Sequence, residues 1–280
     1  MSKSEFPRTS WLRRFLSRRA GAGRSAADLA AQKISIEETY GPWTAHNCQL
    51  TEGLWTIRAN GVNFDEKTRR CVRIAQDFFG SNLSGLRVLD LGAGEGGLLL
   101  EFAAQGANVV CVEGRQMNIA KAKFAAAALR LEIDFRCHDV RLLSEDECYD
   151  LVLCFGLLYH LDARSAVRLV ETIGRVRERL LVLDTHFSLA APEAVEIDGR
   201  TYRGHLAREY AVETTAAEKA ALPWSSLDND SSFWLSKPSI LNLLARVGFN
   251  TTCTKYLPRW CSTTGIDRPK NERGTATGRP

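Results

Sequence analysis

The chain has 280 residues, 45% of them hydrophobic and 25% charged, with 21 Gly, 8 Pro and 8 Cys. These figures exclude a disordered chain, a collagen-like repeat and a disulfide scaffold, and the length suits one elaborated domain or two small ones around a well-buried core. The formal net charge of +4 is unevenly spread: residues 1–24 carry +6 and residues 259–280 carry +3, leaving −5 on residues 25–258. The folded body is therefore acidic, and the overall charge gives no evidence for a basic nucleic-acid-binding face.

In chain order, residues 1–30 read as a basic flexible arm. Its first 24 residues are rich in Arg and Ser, a superficial likeness to an organelle transit peptide, but a basic tail is the simpler reading. Residues 31–75 form an N-terminal cap segment, 76–265 the core domain with an insertion at 187–236, and 266–280 a polar tail too poor in apolar residues to fold. From Gly85 onward, short apolar runs alternate with helical stretches: RVLDLGAG, GGLLLEFAAQG, ANVVCVEG, MNIAKAKFAAAALR, LEIDFRCHDV, YDLVLCFG, ARSAVRLVETIGRV and RLLVLDTH. Strands this close to continuously hydrophobic suit a parallel sheet covered by helices on both faces, which predicts a doubly wound α/β fold. The alternation stops in 187–236, where VEIDGRTYRG predicts a hairpin turning at Asp198-Gly199. It resumes at Pro238 with the helical run SILNLLARV, and NTTCTKYL and RWCSTT then predict an antiparallel hairpin on one sheet edge. The eight cysteines contain no CxxC pair and mostly lie in apolar runs, as buried thiols of a reducing, cytoplasmic setting would. No metal-ligand spacing and no run of eighteen apolar residues is present, so neither a metal nor a membrane span is expected.

The sharpest motif is Val88-Leu-Asp-Leu-Gly-Ala-Gly-Glu-Gly-Gly97, a strand running into a helix. Glycines there let the backbone turn tightly and approach a ligand that faces the next helix N-terminus. Gly92-x-Gly94-x-x-Gly97 also satisfies the dinucleotide fingerprint. Asp90 separates the two readings. Its carboxylate, two residues before the first glycine, would repel a pyrophosphate and attract a ligand with an ammonium and a sulfonium, such as S-adenosylmethionine (SAM). Glu113 ends the next strand, where a carboxylate can accept both ribose hydroxyls of an adenosine cofactor, and Asp139 ends the run LEIDFRCHDV, within reach of an adenine amino group.

VLDLGAGEGG, VVCVEG, HDV and YDLVLCFGLLYHL, in this order and spacing, look like the successive motifs of class I SAM-dependent methyltransferases, over about Gly80 to Thr264 without the insertion. The resemblance implies a Rossmann-like seven-stranded sheet with a reversed last strand, carrying the N-terminal cap and the insertion after strand five. It implies that Asp90, Gly92, Ala93 and Gly94 meet the methionine end of SAM, Glu113 and Gly114 the ribose, and Asp139 and Val140 the adenine. Phe155 and Gly156 would adjoin the sulfonium. FGLLYHL resembles a subgroup that includes tRNA wobble-uridine carboxymethyltransferases, which use a carboxylated SAM, and many bacterial methyltransferases for small molecules and sugars. FWLSKPSILNLLARVGF recurs in that wider group.

Methyl transfer from a sulfonium is an in-line displacement, and a hydroxyl acceptor needs a base. His160 after strand four and His186 after strand five stand at the ligand-binding edge of the predicted sheet, each either acting on the acceptor or packing there (His160 also as a helix cap, His186 buried by the insertion), and Tyr159 either hydrogen-bonds substrate or packs beneath it. Asp184 is either an orienting carboxylate or a rim charge, and His46 either covers the cleft or lies in a surface loop. Trp43, Trp55, Trp224 and Trp234 are suited to stacking on an acceptor or to filling small caps. Arg200, Arg203 and Arg208 either hold an anion or form a solvated hairpin face. The expected function is SAM-dependent methyl transfer to a small-molecule or glycan acceptor, at oxygen. The alternatives are an RNA-modifying methyl or carboxymethyl transferase, a non-catalytic SAM-binding protein, and a dinucleotide oxidoreductase, which Asp90 opposes. The sequence leaves the oligomeric state open.

Overall fold

The computed structural model describes residues 25–57 and 66–254. They fall into two compact units, one formed by the described residues up to Leu153 with Arg177–Val182 and the other by Cys154–Val176 with the described residues from Leu183 onward.

The first unit opens with α1 (Ala26–Tyr40), whose start is set by a capping box: Ser25 Oγ accepts the Asp28 N–H while Asp28 accepts the Ser25 N–H. The helix therefore begins inside the span assigned from sequence to a flexible arm. A small hairpin, β1 (Gln49–Thr51) and β2 (Leu54–Trp55), follows. Helix α2 (Glu66–Phe79) runs through residue 75, where the cap segment was expected to end.

The central sheet contains β3 (Arg87–Leu91), β4 (Asn108–Glu113), β5 (Asp134–Cys137), β6 (Tyr149–Phe155) and β7 (Arg177–Asp184), in the order β5-β4-β3-β6-β7. β3 pairs in parallel with β4 and β4 with β5, with Asp90 opposite Cys111 and Glu113 opposite Cys137. Chain order runs outward from β3 to β5 and returns at β6, which puts the topological switch beside β3, the usual ligand position in such sheets. Val88 to Leu91 are all buried, as expected of a strand covered on both faces. Helices α3 (Gly97–Ala104) and α4 (Gln116–Leu129) cover this part, and α3 is buried over nearly its whole length. β5, by contrast, lies on the sheet edge with every residue partly or fully exposed, and is shorter than LEIDFRCHDV suggests.

The second unit carries α5 (Ala163–Val176), whose buried Ala166, Val167, Val170 and Ile173 recur at helical spacing. Its three-stranded antiparallel sheet joins β8 (Glu193–Ile197), β9 (Arg200–Arg208) and β10 (Ser231–Leu235) in the order β10-β9-β8. The β8–β9 turn is Asp198-Gly199, both with positive φ (50° and 73°), as a two-residue type I′ turn requires. The short helix α6 (Ala216–Ala221) precedes β10. Helix α7 (Lys237–Arg246) is capped by Ser236 and has proline in its first turn, and its Arg246 donates to Glu171 and to the Tyr202 hydroxyl.

The described residues thus supply five strands of the central sheet, where seven were expected. Residues 250–254 form no strand, and the rest of NTTCTKYL, all of RWCSTT, most of the arm and the 266–280 tail lie outside the described residues. Cys48, Cys71, Cys111 and Cys154 are buried free thiols, whereas Cys137, Cys148 and Cys253 are exposed. Among the described residues, no helix is long and apolar enough to cross a membrane.

Candidate active site

In the first unit, the loop after β3 is bound to the end of β4 by backbone and by one carboxylate. The Gly92 N–H donates to the Val112 carbonyl at 2.8 Å. Buried Glu113 accepts the Gly94 N–H on Oε2 at 2.9 Å and the Arg115 N–H on Oε1 at 2.8 Å. Glu113 therefore clasps the glycine loop, and each of its oxygens keeps a lone pair for a further donor. Ala93 is buried in the same loop, and Gly114 is half-buried immediately after Glu113.

Asp90 lies beneath this loop, 1% exposed, and its Oδ2 has no hydrogen-bond partner among the described residues. Burial, reinforced by the charge of Glu113, pushes its carboxyl up to about 7. An orphaned, buried acceptor beside a glycine loop suits a cationic ligand group, because such a partner would repay the desolvation of the carboxylate.

Asp139 differs from its expected placement. It lies two residues beyond the end of β5 and caps a 3₁₀ turn (Val140–Leu142), accepting the Arg141 N–H on Oδ1 and the Arg141 guanidinium on Oδ2 at 2.6–2.8 Å. Burial raises this carboxyl, but the Arg141 contacts outweigh burial and hold it below the usual range. Val140 is buried at the start of the turn.

Sequence reasoning missed a strap in the same unit. The carboxylate of Glu95, between two glycines of the loop, accepts the N–H groups of Thr44, Ala45 and His46 at 2.9–3.3 Å. Lys121 of α4 donates to Glu95 at 3.1 Å and to the Pro42 carbonyl at 2.7 Å, and the two charged side chains are only 2% and 4% exposed. Burial raises Glu95, yet the backbone donors of Ala45 and Thr44 and the Lys121 ammonium bring it below the ordinary value. His46 is no surface-loop histidine: its Nδ1 accepts the Gly97 N–H at 3.0 Å, taking up one of the open donors at the start of α3. A Cβ at Gly97 would lie 2.8 Å from His46 Cγ, so this glycine makes room for the strap. Trp43, buried against Phe124 at 5.8 Å between ring centroids, is a packing residue here. The strap and its partners are about fifty to eighty residues apart, and no local pattern announces them.

In the second unit, Phe155 and Gly156 end β6, and the Gly156 N–H donates to the Asp184 carbonyl at 2.9 Å. A 3₁₀ turn (Leu158–His160) then gathers the expected chemistry-bearing residues. The Tyr159 ring stacks on His186 with centroids 3.9 Å apart and planes 7° from parallel, while Trp234 meets both rings edge-on. Burial, with the nearby charges of Asp184 and Glu209, pushes the Tyr159 hydroxyl above its usual range and keeps it neutral. His160 Nδ1 lies 3.0 Å from Oε1 of buried Glu209, a residue with no sequence signal. Of the other tryptophans, Trp55 is half-buried in β2 and Trp224 is 60% exposed. Arg200 and Arg203 are exposed along β9 and Arg208 is exposed at its end.

A parallel sheet with a glycine loop, a buried orphan carboxylate and an acid ending the adjacent strand defines a Rossmann-like α/β nucleotide-cofactor fold. Residues 88–179 match the family model for a methyltransferase domain. The chain resembles the ubiquinone biosynthesis O-methyltransferase of Rhodopseudomonas palustris (strain HaA2), 41% identical over 80 residues that make up 29% of this chain and 32% of the relative. It is also similar to the ubiquinone biosynthesis O-methyltransferase of Rickettsia akari (strain Hartford), 27% identical over 127 residues, 45% of this chain and 46% of that one. The chain thus spans about a third to a half of these relatives' lengths. Among solved structures, it resembles the N-terminal domain of EvdMO1 with SAH bound, with a TM-score of 0.64 and 24% identity over 83% of this chain and 91% of that one. The same domain in the presence of SAH and D-fucose has a TM-score of 0.62 and 25% identity, over 81% and 91% of the two chains.

Proposed function

We propose that this chain is a class I SAM-dependent methyltransferase that moves a methyl group to an oxygen of a small-molecule or glycan acceptor. The orphaned carboxylate of Asp90 beneath the glycine loop carries the reading, supported by the methyltransferase-domain match. Hydroxyl acceptors are favoured by the relatives named as O-methyltransferases, and a sugar-like acceptor by the fold shared with the EvdMO1 domain in the presence of D-fucose.

SAM is the cofactor, and when bound it supplies an electrophilic methyl on sulfur. Asp90 holds the ammonium, with Gly92, Ala93 and Gly94 giving the methionine end a close backbone surface. Glu113 and Gly114 receive the ribose, Glu113 through its remaining lone pairs, and Asp139 and Val140 border the adenine. Phe155 and Gly156 border the reacting end. His160 takes the acceptor proton, and Tyr159 and His186 orient the acceptor and exclude water. The buried thiols favour a cytoplasmic setting.

Calorimetry with SAM, S-adenosylhomocysteine, carboxylated SAM and NAD tests the cofactor. Binding of the first two supports the reading, tighter binding of carboxylated SAM moves it to carboxymethyl transfer, and binding of NAD alone refutes it. Incubation with methyl-labelled SAM and a panel of catechols, deoxysugars and tRNA, read by mass spectrometry, then identifies the acceptor.

A further inference from the structure

Glu209 follows β9 near the middle of the insertion, and its side chain is 0% exposed. Oε1 faces His160 Nδ1 at 3.0 Å and accepts the Ser232 hydroxyl at 2.7 Å, while Oε2 accepts the Ser226 N–H at 3.2 Å. Taking a carboxylate out of water costs several kcal/mol, and these three contacts offset that cost. A carboxylate only accepts, so the hydrogen between the two side chains belongs to Nδ1, and in the neutral imidazole the lone pair is then on Nε2. Among the described residues, Nε2 has no hydrogen-bond partner, and the imidazole is partly exposed. An imidazole with one nitrogen tied to a carboxylate and the other open is the general form of an oriented base.

We propose that Glu209 is the positioning residue that makes His160 a general base for the acceptor hydroxyl. It fixes the tautomer and turns Nε2 toward the acceptor, and its negative charge offsets the positive charge His160 gains in the step. The inference rests on the methyl-to-oxygen reading above. In the step, the acceptor oxygen forms its bond to the methyl carbon as the carbon–sulfur bond breaks, its electron pair staying on sulfur to leave a neutral thioether. The acceptor's O–H proton passes to Nε2, and the imidazolium later returns it to water. Titratable residues near this pair include Tyr159, whose ring lies 4.4 Å from that of His160, His186 stacked on Tyr159, Asp184, whose charge acts on Tyr159, and Asp230, whose carbonyl accepts the Glu209 N–H. Tyr159 is neutral, which leaves Glu209 as the carboxylate in direct contact with His160.

The test begins with nitrogen-15 spectra of histidine-labelled full-length protein at pH 8, the His160 signal being assigned by its loss in His160→Gln. Protonated Nδ1 with unprotonated Nε2 is expected, and the opposite tautomer in the unmodified protein overturns the proposal without any Glu209 variant. In Glu209→Gln, both tautomers are expected, with kcat on a catechol or D-fucose probe falling about 100-fold, the usual share of a general base. The affinity for SAM and the KM for the probe should stay within twofold, and the dependence of kcat on pH should flatten. Unchanged kcat and pH profile in a variant that still binds SAM overturn the role of Glu209 alone, whereas loss of SAM binding in the unmodified chain overturns the underlying reading. If Glu209→Gln does not fold, Glu209→Asp retracts the charge by one methylene and should show the same kcat loss at constant KM.

Discussion

Replacing Asp90 by Asn should make the cofactor-free protein more stable at pH 8 while weakening its hold on SAM. The carboxyl is pushed up to about 7 from an ordinary value of 3.8, so the folded chain binds a proton that the unfolded chain has released across that window. A raised carboxyl gives its full stability below about 4 and loses it progressively as the pH climbs through 7. At pH 8, the shift corresponds to about 4 kcal/mol of strain from holding the charge buried. Asn has the same shape and no charge, so it removes this penalty, with 4 kcal/mol as the ceiling because its amide is still a buried polar group. At about 2–4 °C per kcal/mol, the variant should melt roughly 5–10 °C higher at pH 8 and show a flatter melting profile between pH 5 and 8. The ammonium of SAM loses its charged acceptor, worth about 1.5–3 kcal/mol, or roughly a 10- to 150-fold rise in Kd. In the unmodified protein, binding near pH 6 should expel a proton, seen as calorimetric heats that change with the buffer's ionisation enthalpy. Equal melting curves for the two proteins across pH 5–8, or an Asn variant that binds SAM as tightly as the unmodified chain, would refute the reasoning.

Three further substitutions probe the strap and the turn. Lys121→Met should cost about 3–5 kcal/mol in denaturant unfolding, because it strands the buried Glu95 charge, and Glu95→Gln with Lys121→Met together should recover much of that loss. Gly97→Ala places its methyl 2.8 Å from His46 Cγ and should destabilise by about 1–3 kcal/mol; introducing His46→Ala in the same chain should lower the added cost, and no such coupling would discount the contact. Gly199→Ala, at φ 73°, should cost about 1 kcal/mol by melting while leaving SAM affinity unchanged.

What was legible in the sequence is what short-range patterns encode. Val88–Gly97 declared a strand, a tight turn and a helix start because glycine and apolar periodicity act within a few residues. The Asp198-Gly199 turn was readable for the same reason, since only two positive-φ residues close a two-residue hairpin, as was the helix with Pro238 in its first turn. The site's long-range contacts were not legible. Glu95 meets Thr44 to His46, and His160 meets Glu209, across about fifty residues, so each pairing depends on how whole elements pack. Asp139 was misplaced because LEIDFRCHDV is apolar enough to read as one strand, whereas on the sheet edge only four of its residues pair and the chain turns off at the acid that caps the next turn. The insertion showed its hairpin but not its third strand, since β10 joins β9 across more than twenty intervening residues.

The strap across the glycine loop bears on how such a domain can be cut, grafted or recombined. The stretch that matches the shared methyltransferase domain begins at residue 88, yet the anion between its glycines takes its backbone N–H donors from chain that precedes that start by more than forty residues. A module excised at the family boundary would retain Glu95 and Lys121 but lose Pro42 to His46, and α3 would start with an open donor where His46 now sits. A module that keeps these contacts therefore has to reach back to the Pro42–His46 segment, and chimaeras joined between His46 and Gly85 should inherit cofactor loops only as ordered as the foreign leader they receive.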